Sequence, residues 1–372
     1  MRIAVLCGGL LLASPALGAP TFGIVGSVTG GPQIGGVRGG LLYGTIAYGG
    51  TGGSGALFKL PSKGGTATWL HNFAGTSEGS TPNARLALDA KGDIFGTNAG
   101  GGTAGFGTIW EWTKGGALKV VHTFGVGVKD DGNYPYQGPT MGPDDVLYGS
   151  TSQGAIGGSG NLWSAKHGKT YAVVYNFLSQ GDGHCPFAGV AVTAQGAIYG
   201  ETVGLGFGGN PTGSVFDYTK TGGLQTLYVF DPNGDNDPDG EWPTQSPTVD
   251  AQGNVYGVTS TQNGASFAGA IWTITASGAF SVLYDLNGAT DGYTTNSPLL
   301  IGSDGNLYGT TSQGGQYGYG TVFSITPGGT FTMLHAFTAG TDGAQPTGNL
   351  VMDSSGVIYG GTDYGPVFSL TP

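Results

Sequence analysis

Basic residues are scarce: 12 Lys and Arg stand against 23 Asp and Glu, a formal net charge of −11 over 372 residues. A surface that tracks phosphates needs a basic patch, and none occurs, so nucleic acid is not an expected partner. Cysteine is nearly missing. Cys7 lies in the N-terminal leader, which leaves Cys185 as the lone thiol of the mature chain. No internal disulfide can then close the fold, and that thiol is open to oxidation. No apolar run approaches the ~20 residues of a membrane-spanning helix, and nothing after Leu370 resembles an anchor. Glycine at every third position is also lacking, which excludes collagen, while ordinary apolar and aromatic content excludes disorder.

What is present begins with Arg2, the apolar run IAVLCGGLLLA and the small-residue site SPALGAP. These are the three regions of a cleavable secretory signal peptide, residues 1–18, with cleavage after Gly18. The mature chain, 19–372, is expected to be secreted or periplasmic. Glycine supplies 78 residues, roughly three times its usual share. Placed between β-branched and aromatic runs, it indicates many short strands joined by tight turns.

A Tyr-Gly or Phe-Gly pair recurs at Tyr43, Phe95, Tyr148, Tyr199, Tyr256, Tyr308 and Tyr359. Self-similarity at about 50 residues is the mark of a propeller or a solenoid. An aromatic landmark follows each pair, at Phe58, Trp110, Trp163, Phe216, Trp272, Phe323 and Phe368. A third strand carries LHNF, VHTF, VYNF, LYVF, LYDL and LHAF, and a fourth carries LALD, VAVT, PTVD, LLIG and LVMD. Four short antiparallel strands make one blade. The chain therefore reads as an all-β, single seven-bladed β-propeller of four-stranded antiparallel blades, with six or eight blades or a solenoid as alternatives. The last repeat stops after PVFSL, one strand short, and TFGIVGSV at the mature N-terminus is unassigned. Pairing of the N- and C-terminal strands would close the ring and remove its open edges. A closed ring of this kind is expected to act as a monomer.

GNLYGTTSQGG, GTVFSI, LHAF and DGAQPTGNLVMD, in that order, resemble the glycine-rich GloVer repeat of secreted bacterial proteins. The resemblance covers nearly all of the mature chain. It implies an extracellular, propeller-like protein and assigns no catalytic residues. Relatives often end in a sorting or anchoring segment; the absence of one here makes surface anchoring unexpected.

Two familiar motifs stand in the wrong context. The GxGxxG match at Gly204–Gly209 precedes the strand SVFDY, whereas a dinucleotide fingerprint opens a helix that receives the pyrophosphate. The GxSxG match around Ser77 lies in an inter-strand loop, not in the strand–turn–helix of a nucleophile elbow. His71 is close by, but His122 and His335 share its repeat position with Tyr175, Tyr228 and Tyr284. Alternation of His and Tyr indicates packing.

The loop that follows carries Glu78, Asp131, Asp182, Asp239, Asp291 and Asp342, mostly as Asp-Gly ahead of a proline. Asp stabilises such turns through its own backbone; the functional alternative is a carboxylate rim that attracts cations, with Asp131 and Asp182 as ligand contacts. One loop is longer. Asp235, Asp237 and Asp239, followed by Gly240, match half of a calcium loop, although Ser246 replaces the usual bidentate Glu at the twelfth position. Calcium is the one cofactor considered. Tyr134 and Trp242 precede the prolines of two loops, where aromatic faces could stack on sugar rings. Asp182-Gly183-His184-Cys185 offers mixed metal ligands, yet it fits the common loop pattern.

Glu201 replaces the Thr45, Thr97, Ser150, Val258, Thr310 or Gly361 of the other repeats. A carboxylate in that strand could line the channel as a general acid or base. Sugar hydrolysis needs a second carboxylate about 5–10 Å away, for which Asp182 and Asp363 are candidates. Two readings follow. The preferred one is an exported, non-catalytic propeller binding an extracellular polysaccharide or protein through one rim, with calcium ordering a loop. The alternative is a glycoside hydrolase or polysaccharide lyase using Glu201 and a rim aspartate.

Overall fold

The structure is a computed structural model that describes residues 19–166, 170–178, 181–204, 213–230, 243–260, 268–295 and 297–372. Seven antiparallel sheets form a seven-bladed propeller, with no α-helix among the described residues. Blade 4 is typical: Ala191–Val192 lies innermost, followed outward by Ile198–Thr202, Ser214–Thr219 and Gly223–Val229. Blade 7 is built from Pro346–Met352, Ile358–Thr362, Pro366–Thr371 and the N-terminal strand Thr21–Ser27. The expected closure is thus observed, with Thr21 opposite Thr371 and Phe22 opposite Leu370. Phe22 then lies flat against His335 of blade 6, ring centroids 3.6 Å apart, so closure also fastens two blades together.

The Tyr-Gly signature has a steric cause. In every blade its glycine pairs across the sheet with the aromatic landmark of the next strand: Gly44 with Phe58, Gly96 with Trp110, Gly257 with Trp272. A Cβ on Gly257 would sit 2.1 Å from the Trp272 ring, and one on Gly200 would sit 2.4 Å from Phe216. Only glycine lets the ring lie flat over the neighbouring backbone. Each of these seven aromatics is fully buried, and they anchor the clusters between blades. The tyrosine has a separate task. In blades 5, 6 and 7 its hydroxyl donates to a turn aspartate, Tyr256 to Asp250, Tyr308 to Asp304 and Tyr359 to Asp353, at 2.8–3.1 Å.

Candidate functional site

The inner strands carry the polar positions that face the propeller axis. Each begins near a proline or its counterpart, and the residue three places later forms a ring around the channel: Gly35, Arg85, Gly138, Gly189, Ser246, Pro298 and Asn349. Arg85 is the one large cation in this ring of small residues. Its side chain crosses the channel from blade 2 to blade 4, where Nη1 donates to the Val190 carbonyl at 3.0 Å. Gly189 lies beside it: a Cβ there would be in ordinary contact with Nη1, at 3.5 Å, but would crowd Ser246 Oγ at 2.5 Å. Burial lowers the guanidinium pKa to about 10, so Arg85 remains charged at neutral pH.

Glu201 lies in the second strand of blade 4, opposite Val215, and is 1% exposed. Its counterparts bond to the inner strand of the following blade: Thr45 Oγ1 to Asn83 O, Thr97 Oγ1 to Gln137 O, Ser150 Oγ to Ala188 O. By the same register, Glu201 faces the Gln245–Ser246 segment of blade 5. Both of its carboxylate oxygens, with Gln245 Oε1 and Ser246 Oγ, are buried without a hydrogen-bond partner. Burial alone pushes the carboxyl well above its ordinary range, because lost hydration disfavours the charged form. A carboxyl shifted in this direction is suited to donating a proton, but among the described residues no second acid contributes to its shift. Asp182 bonds instead to the Tyr175 hydroxyl at 2.8 Å and the Leu178 N–H at 2.9 Å. Asp363 lies in the exposed hairpin of blade 7.

The acidic loops form repeated clasps. Glu78 accepts from His71, Asp131 from His122, Asp182 from Tyr175, Asp291 from Tyr284 and Asp342 from His335, at 2.8–3.1 Å. The same carboxylates also accept a backbone N–H from Ala74, Gly125, Leu178, Asn287 or Thr338. His and Tyr are interchangeable here because each ends in a ring-tip hydrogen-bond donor. The sequence-level Asp-Gly turn therefore has a partner across the loop. Among the described residues, no group of three or more His, Cys, Asp or Glu side chains is placed to hold a metal. His184 and Cys185 are neighbours, with Nε2 and Sγ 3.0 Å apart. The proposed calcium ligands Asp235, Asp237 and Asp239, and also Trp242, lie outside the described residues, as do residues 1–18 and most of the GxGxxG match. The Ser77 loop is a short turn closed by Gly75 N–H to Gly79 O, and His71 bonds Glu78 rather than Ser77.

Tyr134 belongs to a ladder of rings at the proline end of the channel. Its ring centroid is 6.1 Å from Tyr136 (interplanar angle 19°), and Tyr136 lies 5.1 Å from Phe187 (25°). Tyr136 is 41% exposed. Phe106 braces Tyr134 edge-on from below. Sequence reasoning missed Tyr136, Phe187 and Arg85. The signal lay in comparing the repeats column by column, where an aromatic follows the proline in blades 3 and 4 and a lone arginine stands among glycines.

In fold, the chain is similar to a streptogramin B lyase (TM-score 0.61, 15% identity, covering 94% of this chain and 97% of that one). It is also similar to the extracellular domain of a protein assigned as a hybrid two-component system from B. thetaiotaomicron (TM-score 0.62, 12% identity, 94% of this chain and 39% of that one). A third likeness is to a puromycin hydrolase (TM-score 0.57, 11% identity, 90% and 50%). At these identities the likeness is one of fold. No curated protein matches the sequence, and no helix among the described residues is long and apolar enough to cross a membrane. The model of the Gloeobacter/Verrucomicrobia repeat matches residues 31–264 and 208–370, and with the seven blades in view the chain belongs to that repeat family.

Proposed function

We propose that this chain is an exported, non-catalytic propeller that binds an extracellular glycan at the proline end of its channel. The observation that carries the reading is the Tyr134–Tyr136–Phe187 ladder, with Tyr136 partly open to solvent beside the channel mouth. Near-parallel aromatic faces offer successive stacking surfaces to sugar rings, and an exposed aromatic run on a rim calls for a ligand more than scattered apolar residues do. Export follows from the leader read at residues 1–18. A catalytic role for Glu201 is the second reading, supported by its buried, unpartnered carboxyl, whose pKa burial raises. Burial as the sole cause of its shift favours binding over carboxylate-pair hydrolysis.

The test is retention on polysaccharide affinity gels and glycan arrays, with Tyr136→Ala and Phe187→Ala beside the wild type. Loss of one stacking face should weaken binding about tenfold with little change in melting temperature. Retention equal to wild type in both variants overturns the proposal. Reducing-sugar release that disappears in Glu201→Gln would favour the catalytic reading instead.

A further inference from the structure

The other half of the channel holds a cavity of about 380 Å³, within the size range of small-molecule sites. Val37, Leu88, Leu300 and Met352 make its apolar walls, while Arg85 and Asn349 supply polarity. Arg85 and Asn349 occupy the same step of their inner strands, so both stand at one level of the channel. The guanidinium has five N–H donors. Among the described residues its single acceptor is the Val190 carbonyl, and no carboxylate contributes to its environment. The Asn349 carboxamide makes no hydrogen bond to the described residues. A half-buried cation without a counter-ion is costly to the extent that its lost hydration is not replaced.

We infer that this cavity binds a small organic monocarboxylate with an apolar body, its carboxylate on Arg85 and Asn349 and its hydrocarbon part against Val37, Leu88, Leu300 and Met352. The planar guanidinium matches a carboxylate, and charge-assisted bonds of this kind are the strong ones. One cation suits one negative charge. A phosphate would bring up to two charges to a site with a single arginine, in a protein whose net charge is already −11. The carbonyl of Val190 holds one arm of the fork and leaves the others free for the ligand. Chain topology separates this site from the aromatic ladder: the ladder residues are immediate neighbours of the prolines that open the inner strands, whereas the cavity is lined by the strands' later residues.

Benzoate is the probe, with benzamide as its neutral isostere, in calorimetric titrations and thermal melts of the mature chain at neutral pH. Benzoate should bind and raise the melting temperature, and benzamide should bind at least about tenfold more weakly, as expected for loss of a charge-assisted pair. Arg85→Met should abolish the benzoate shift without lowering the melting temperature of the free protein, because it removes an uncompensated charge. Leu88→Phe keeps the charge and fills the cavity, so it should also weaken benzoate binding. It decides the case if Arg85→Met does not fold. The proposal is overturned if benzoate up to about 10 mM leaves the wild type unchanged, if benzamide binds equally well, or if both variants bind benzoate like the wild type. Glycan retention by Arg85→Met, expected to equal that of the wild type, separates failure here from failure at the ladder.

Discussion

The loop clasps and the channel positions are built from the same few polar residue types, yet they end in opposite states. Each described clasp pairs a carboxylate with a ring-tip donor and a backbone N–H, and the pattern repeats from blade to blade. Where blade 4 meets blade 5, Glu201, Gln245 and Ser246 keep buried atoms without partners, and in the channel Arg85 has no counter-ion among the described residues. A polar group that recurs in every repeat has a partner that recurs with it. Glu201, found in a single repeat, lacks the partner that Thr45, Thr97 and Ser150 have at the same position. Scaffold and candidate site are therefore distinguished by satisfaction of hydrogen bonds, not by residue type.

Breaking a clasp should have the largest effect. Asp131 is more enclosed than Glu78 or Asp342, with 3% of its side chain exposed against 27% and 14%. It accepts from His122 Nε2 at 2.9 Å and from the N–H groups of Gly125 and Gly132 at 2.8 and 3.0 Å. Asp131→Ala leaves the buried Gly132 N–H and the half-buried His122 ring unanswered, and it should cost about 3 kcal/mol in urea unfolding. Glu78→Ala should cost less, because Glu78 is 27% exposed and water can replace it. Equal losses would mean that enclosure does not set the strength of a clasp.

Repairing the channel should have the next largest effect, with the opposite sign. Glu201→Thr installs the residue found at Thr45, Thr97 and Thr310, two of which bond the following blade. Because the folded-state pKa of Glu201 is raised, the folded protein binds more protons than the unfolded chain above about pH 4.5. Stability from this site is then full below that pH and declines as pH rises toward the folded pKa. Glu201→Thr should remove that decline and exceed wild type by about 1–3 kcal/mol at pH 8, with little difference at pH 4. Identical pH profiles in urea unfolding would show that burial does not raise the Glu201 pKa.

The architecture was legible because its causes are local and copied. A glycine facing an aromatic ring, a turn aspartate and a missing last strand each leave a mark at a fixed place in the repeat. Glu201 was legible as a departure from its column, but its lack of a partner was not, since that depends on how blade 4 meets blade 5. The clasps were half legible: acid and His/Tyr both stood out, and only the folded loop brings residues such as Tyr175 and Asp182 together. Arg85 escaped notice for a different reason. Its column reads mostly as small residues, and nothing in a strand's alternation says which residues face a seven-fold axis.

The smallest expected effect comes from exchanging one clasp donor for the other. His335 donates to Asp342 and lies flat on Phe22, and Tyr284 does the same with Asp291 and Phe331. Both pairs span seven residues, so His335→Tyr should preserve the clasp and the stack and change stability by no more than about 0.5 kcal/mol at pH 7.5. The difference should appear in acid. Burial lowers the His335 pKa, against the pull of Asp342, so the unfolded chain takes up a proton first as pH falls below about 6.5. Wild-type stability from this site is thus lost from pH 6.5 downward, and the tyrosine variant, with no proton to gain there, should gain on it as the pH falls further. Asp342 is a common term in both proteins: burial opposes its ionisation, but the bonds from Thr338 and His335 prevail and hold its pKa below the ordinary value. A variant that loses several kcal/mol at pH 7.5 would show that the imidazole, and not merely a ring with a donor at its tip, is what this clasp requires.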